Sequence, residues 1–167
     1  MQAPQIPANE GPRLHALRVR GLLDSPAEER FDRLTRLTQQ LFGVKIALVS
    51  LIDADRQWFK SRQGLDVCET SRDISFCGHA ILASDIFEVP DATQDVRFAD
   101  NPLVTEAPHI RFYAGAPLSS SDGFRLGTLC IIDTEPRQLA AADRRMLRDL
   151  ADLVETEINF SEQRSQS

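Results

Sequence analysis

The chain is predicted to fold as an α+β layered domain around a mainly antiparallel sheet of about five to six strands. Three observations predict it. Phe112, Ala114, Ala116 and Leu118 alternate with the period of two of a half-buried strand, and Ser119–Gly123 leads into a second apolar stretch over 124–133. Asp122-Gly123 supplies the positive φ angles of a tight hairpin turn. Ile46–Ile52 is a near-continuous apolar run, and Asp53–Arg56 turns it into the more polar Gln57–Ser61, a second hairpin. Helical apolar periods bracket these strands at both ends of the chain.

In chain order, residues 1–11 carry Pro4, Pro7 and Gly11 with little apolar content and are expected to be a flexible tail. Leu14, Leu17, Leu22 and Leu23 suggest a short helix broken at Asp24-Ser25-Pro26. There Ser25 can cap, and Pro26 can occupy the first turn of, a second helix. That helix bears Phe31, Leu34, Leu37, Leu41 and Phe42 at spacings of three and four, and Gly43 ends it. The run 46–52 suits a central strand covered on both faces, and 57–61 one nearer the edge. Residues 63–76 are expected to be mostly loop, 77–83 one or two helical turns and 86–89 a strand. A helical turn and loop then run through Pro108 to Ile110 and Phe112, which should open one face of a strand. The last helix is expected over about 139–160, with Met146, Leu147, Leu150, Leu153, Val154 and Ile158 apolar, and 161–167 form a polar tail or a linker to an effector domain. Residues 12–160 thus make one domain.

Composition narrows the partners. No run of about 18 apolar residues could span a bilayer, and the first ten residues lack the basic start and apolar stretch of a secretory signal, so a cytoplasmic protein without membrane contact is expected. A formal charge of −6 offers no basic footprint for nucleic acid. Cys68, Cys77 and Cys130 are odd in number and form no CxxC pair, which argues against a secreted disulfide framework and a four-ligand zinc site. P-loop, GxSxG, HExxH and GGDEF signatures are absent.

The segment Arg97–Val104, the strand Ile110–Leu118 and the closing Gly127-Thr128-Leu129-Cys130-Ile131-Ile132-Asp133 together resemble the GAF sensory-domain family, in the subgroup found ahead of bacterial diguanylate cyclase or histidine kinase domains. The likeness spans about residues 20–160 and implies N- and C-terminal helices on one face of the sheet, with short helices and loops forming a pocket on the other. It also implies that the segment Arg72–His79 covers a ligand cavity.

Two groups of residues could line that cavity. In the first, Phe76, Cys77 and His79 stand beside Gly78, which permits close backbone approach. Cys77 and His79 are either a small core residue and a hydrogen-bonding imidazole, or ligand contacts; two positions apart on a helix, they make a poor nucleophile pair. In the second, Arg97, Asn101, His109, Arg111 and Tyr113 have Phe98 as apolar wall. Arg97 and Arg111 can grip a carboxylate or phosphate through forked hydrogen bonds; equally, Arg97 can pair with Asp95 or Asp100, Asn101 cap a turn and Arg111 point outward. His109 could ligate haem, a weak signal from one histidine. Burial of Cys130 would raise its pKa, and acidic neighbours disfavour a Cys68 thiolate.

No catalytic set or resident cofactor is expected. The function that follows is a non-catalytic regulatory domain binding an unidentified small molecule and controlling an attached output, expected to be cyclic di-GMP synthesis by a diguanylate cyclase. A ligand-free dimerisation module is the alternative, and a thiol reductase like the free-methionine sulfoxide reductases of this family a third. Leu139, Met146, Leu153 and Phe160 recur every seven residues in the last helix. A homodimer through Met146, Leu153 and Phe160, joined by Leu14 and Leu17, is therefore expected.

Overall fold

A computed structural model describes residues 1–166, with side chains through Phe160. Its helices are α1 (Glu10–Arg18), α2 (Glu29–Phe42), α3 (Cys77–Ala80), α4 (Pro102–Thr105) and α5 (Ala141–Gln166). The strands are β1 (Ile46–Ile52), β2 (Arg56–Gln63), β3 (Glu69–Ser71), β4 (Phe87–Val89), β5 (Phe112–Ser119) and β6 (Arg125–Asp133). They form one six-stranded sheet in the order β3-β2-β1-β6-β5-β4, every neighbouring pair antiparallel. The α+β class and both expected hairpins are present.

The alternation of side chains along each strand divides the core into two layers. Ala47, Val49 and Leu51 of β1, Phe112, Ala114, Ala116 and Leu118 of β5, and Leu129 and Ile131 of β6 face α1, α2 and α5. Ile46, Leu48 and Ile52, with Tyr113, Cys130 and Ile132, face the opposite layer, built from α3, α4 and the loops. All seven residues of β1 are buried, as a strand covered on both faces requires.

Several boundaries differ from the sequence-based expectation. Residues 1–9, expected to be a flexible tail, lie against the domain: the Gln2 N–H donates to Arg97 O at 3.0 Å, and Pro4 is buried over Gly78. A Cβ on Gly78 would sit 2.7 Å from the Pro4 ring, so the absent side chain is what admits the segment. Helix α1 starts at Glu10 and ends at Arg18, before Leu22 and Leu23.

Ser25 and Pro26 do not begin α2, which starts three residues later behind Glu28. The physical reason is Lys60. Its buried ammonium donates to Ser25 Oγ at 2.7 Å and to Pro26 O at 2.6 Å, and a buried cation commands oxygen partners more strongly than a helix end does. Gly43 ends α2 in the left-handed conformation, as expected.

Residues 69–71, expected in a loop, add the short edge strand β3, so β2 is not itself the edge. Three residues are too few to show a period. Ile110 precedes β5 and packs in the loop-side layer, on the face opposite Phe112. Helix α5 continues to Gln166, so 161–166 extend the helix instead of forming a separate tail; Ser167 lies outside the described residues.

Candidate functional site: a cavity beneath the short helices

The layer opposite the long helices is hollow. A cavity of about 420 Å³ lies between the sheet and the loops above it. Ile46 and Leu48 of β1, Gln57 and Phe59 of β2, and Tyr113 and Ile132 form its floor. Leu65, Asp66, Val67, Glu69 and Thr70 close one side, Leu103, Ala107, Pro108 and Ile110 the other, and Phe76 and Cys77 enter from the start of α3. Short helices and loops cannot present the continuous apolar stripe with which a long helix fills a sheet face, and this is why space remains.

Polar groups gather at the Cys77 end of the cavity. Tyr113 Oη and Thr128 Oγ1 each donate to Cys77 Sγ at 3.1 Å, and Cys130 Sγ lies 3.9 Å away. Ser50 Oγ donates to Gln57 Oε1 at 2.9 Å, and Gln57 Nε2 to Thr70 Oγ1 at 2.8 Å. The Tyr113 hydroxyl reaches Cys77 by crossing Gly115, where a Cβ would stand 2.3 Å from the oxygen. Burial pushes the Cys77 thiol up, but its hydrogen-bonding neighbours Cys130, Thr128, Tyr113 and Ser50 more than offset it and leave the group at about 7. Burial, reinforced by the adjacent Cys77, holds the Cys130 thiol well above its ordinary value, and burial does the same for the Tyr113 phenol.

Of the residues singled out in the sequence, Phe76, Cys77 and Tyr113 line this cavity. The other six do not. Phe98 stacks behind Phe76, ring centroids 4.0 Å apart, and is wholly buried. His79 Nε2 lies 3.0 Å from Gln2 O and its ring meets Phe98 edge-on; burial lowers its pKa. Arg97 is taken by Asp95 through Nε at 3.0 Å and Nη2 at 2.7 Å, with its guanidinium over Phe87 and Phe98. Asn101 caps α4, its Oδ1 accepting from the Leu103 N–H at 2.9 Å, while Nδ2 donates to Ile74 O.

Arg111 Nη1 donates to Val104 O and Ile110 O, and the His109 side chain is exposed. An inward-facing Arg97–Arg111 clamp for an anion is thus corrected: nearby carboxylate and carbonyl oxygens satisfy both guanidinium groups outside the cavity. Among the described residues that line it, none is Lys, Arg or His. Sequence reasoning missed Ser50, Gln57 and Thr128. Ser50 and Thr128 are polar interruptions of apolar strands, a signal that was there to be used.

The dimer residues divide likewise. Leu17 is wholly buried in the helix-side core and cannot meet a second chain; Leu14 and Met146 are half-buried, Met146 against that core. Leu153 and Phe160 are 51% and 48% exposed, and α2 adds Leu37 and Leu41, not expected at a surface, at 41% and 50%.

Residues 26–158 match the GAF domain family. The chain is a GAF domain. It is 46% identical over 160 residues to a cyclic di-GMP phosphodiesterase of Pseudomonas aeruginosa, a match that covers 95% of the chain and 27% of that relative. The chain therefore spans about a quarter of the relative's length. That relative is a phosphodiesterase, so the likeness does not support the expected diguanylate cyclase output.

The GAF domain of a phosphoenolpyruvate-protein phosphotransferase from Coxiella burnetii superposes with a TM-score of 0.70 at 16% identity, covering 93% of this chain and 97% of the other. A type II free methionine-R-sulfoxide reductase from Thermoplasma acidophilum gives 0.66 at 14%, covering 85% and 96%. At such identities these two likenesses concern the fold. Among the described residues of this GAF domain, no helix is long and apolar enough to cross a membrane.

Proposed function

We propose that this GAF domain is a non-catalytic regulatory module of a cytoplasmic cyclic di-GMP signalling protein, and that it binds a neutral or cationic small molecule whose occupancy controls an attached phosphodiesterase. The cavity of about 420 Å³ carries the reading. It lies within the size range of small-molecule sites and combines a mostly apolar wall with a few fixed polar groups. Gln57, Thr70 and Tyr113 offer hydrogen bonds, and Asp66 and Glu69 stand at the wall with negative charge. A dianionic nucleotide would enter without a cation to meet it, so cyclic di-GMP is the output's substrate and not this domain's ligand. The phosphodiesterase link comes from the Pseudomonas aeruginosa relative, of which the matched part is a minor fraction.

Thermal-shift and calorimetric titration with neutral, cationic and anionic small molecules tests this. Stabilisation by members of the first two classes, abolished by Ile132→Phe in the cavity floor, is expected. Tight binding of cyclic di-GMP, or ligand binding unaffected by Ile132→Phe, contradicts it.

A role in assembly is a second reading, favoured by the exposed Leu37, Leu41, Leu153 and Phe160 on α2 and α5. We expect a homodimer through these helices. Light scattering should give a dimeric mass that Leu153→Glu halves; a monomeric mass at every concentration removes this reading and leaves the cavity untouched.

A further inference from the structure

We propose that Cys77 and Cys130 are a redox-sensitive dithiol, which closes to a disulfide when a hydroperoxide reaches Cys77 through the cavity. This goes beyond ligand binding and does not depend on which small molecule the cavity takes. The observations are geometric. The two sulfurs lie 3.9 Å apart, on α3 and on the neighbouring strand β6. Cys77 lines the cavity, whereas Cys130 sits behind it and is wholly buried.

This placement sets an order: a small oxidant meets Cys77 first, and Cys130 is the thiol in contact with it, whereas Cys68 is exposed on the loop before β3. The surroundings of Cys77 also suit the chemistry. Tyr113 Oη and Thr128 Oγ1 both donate to its sulfur, and donors to sulfur favour the thiolate, the nucleophilic form. Cys130, held as a neutral thiol by burial, carries the proton that the second step needs.

In the first step the Cys77 thiolate attacks the near oxygen of the hydroperoxide. The O–O bond breaks, an S–O bond forms, and the leaving hydroxide or alkoxide takes a proton to become water or alcohol; Cys77 is oxidised to the sulfenic acid and the peroxide is reduced. In the second, the Cys130 sulfur attacks the Cys77 sulfenic sulfur, an S–S bond replaces the S–O bond, and hydroxide leaves with the Cys130 proton as water. A thiol reductant reverses the sum. Closure must bring the sulfurs from 3.9 Å to about 2.05 Å. The four residues of α3 are freer to move than the paired strand β6, so Phe76 and Cys77 shift and the cavity wall changes with them. The modification would thus be felt where a ligand binds.

The test uses the Cys68→Ser variant, which removes an exposed thiol. It is titrated with hydrogen peroxide, unfolded in the presence of a thiol-alkylating reagent and weighed intact. The expected product is lighter by two hydrogens, takes up no alkylating reagent, and regains two alkylatable thiols after reduction by dithiothreitol. With Cys130→Ser added, dimedone should trap the sulfenic acid on Cys77. Two alkylatable thiols at unchanged mass after peroxide, or over-oxidation of Cys77 while Cys130 stays alkylatable, overturns the proposal. Filling the cavity with Ile132→Phe should slow disulfide formation by about ten-fold or more, since reactivity depends on access; an unchanged rate overturns the route through the cavity.

Discussion

The two faces of the sheet share strands and differ in what they do. On the helix side, Leu17, Phe31, Leu129, Leu147 and Val154 are wholly buried and the layer is filled. On the loop side, Ile46, Leu48, Tyr113 and Ile132, which alternate with helix-side residues along the same strands, border a cavity of about 420 Å³ that ends in a cluster of thiols and hydroxyls. Consecutive residues of one strand, such as Leu129 and Cys130, therefore serve opposite ends: one packs, the next lines up with the chemistry. What differs is the covering element. A long amphipathic helix brings a stripe of side chains and fills the face, whereas short helices and loops bridge it and leave room.

The largest test of this contrast is truncation. Leu147→Ala on the filled face should cost about 3 kcal/mol in chemical denaturation, while Ile132→Ala at the cavity floor should cost about half as much, because its neighbours already lack contacts on one side. Equal costs would break the comparison. Enlargement should act in reverse: Ala151→Leu, pressed into the filled layer, is expected to destabilise by about 1–3 kcal/mol, and Ile132→Phe to leave stability within about 1 kcal/mol. Denaturation midpoints of the two variants decide it.

A smaller effect belongs to the polar margin of the filled face. Glu28 takes hydrogen bonds from Arg30 at 3.0 Å and pairs with the buried Lys60 ammonium at 2.7 Å, and these contacts, Arg30 first, pull its carboxyl down to about 2. A carboxyl lowered by folding contributes stability that is present above its ordinary value of 4.5 and is lost as pH falls towards about 2. Glu28→Gln should therefore lower stability by about 1 kcal/mol at neutral pH, allowing for solvent screening of a partly exposed carboxylate, and flatten the pH dependence across that window. Denaturation at several pH values measures both.

The smallest expected effect is at Arg97, paired with Asp95 outside the cavity. Arg97→Ala should change stability by less than about 1 kcal/mol and leave ligand affinity unaltered. A large loss of affinity would mean that the cavity extends beyond the residues described for it.

The sequence by itself determined the class of the fold, both hairpins, the two-sided burial of Ile46–Ile52, the Gly43 helix end and the shared face of Phe112, Ala114, Ala116 and Leu118 on β5, although β5 is buried on both faces and not on one. Each rests on a local period or a single backbone requirement, and both survive without knowledge of distant partners. Alternation along the strand also places Cys130 opposite in facing to Leu129 and Ile131. What no local pattern contains is the meeting of Cys77, Tyr113 and Thr128, which are brought together by α3, β5 and β6.

The arginines show the limit from the other side. Arg97 and Arg111 have the chemistry to hold an anion, but a guanidinium goes to whichever oxygens the fold supplies. Here these are Asp95 for the one and the carbonyls of Val104 and Ile110 for the other. Residue type and spacing determined what each side chain could bind; only the tertiary structure decided what it does bind, because burial and hydrogen-bond partners come from segments far apart in the chain.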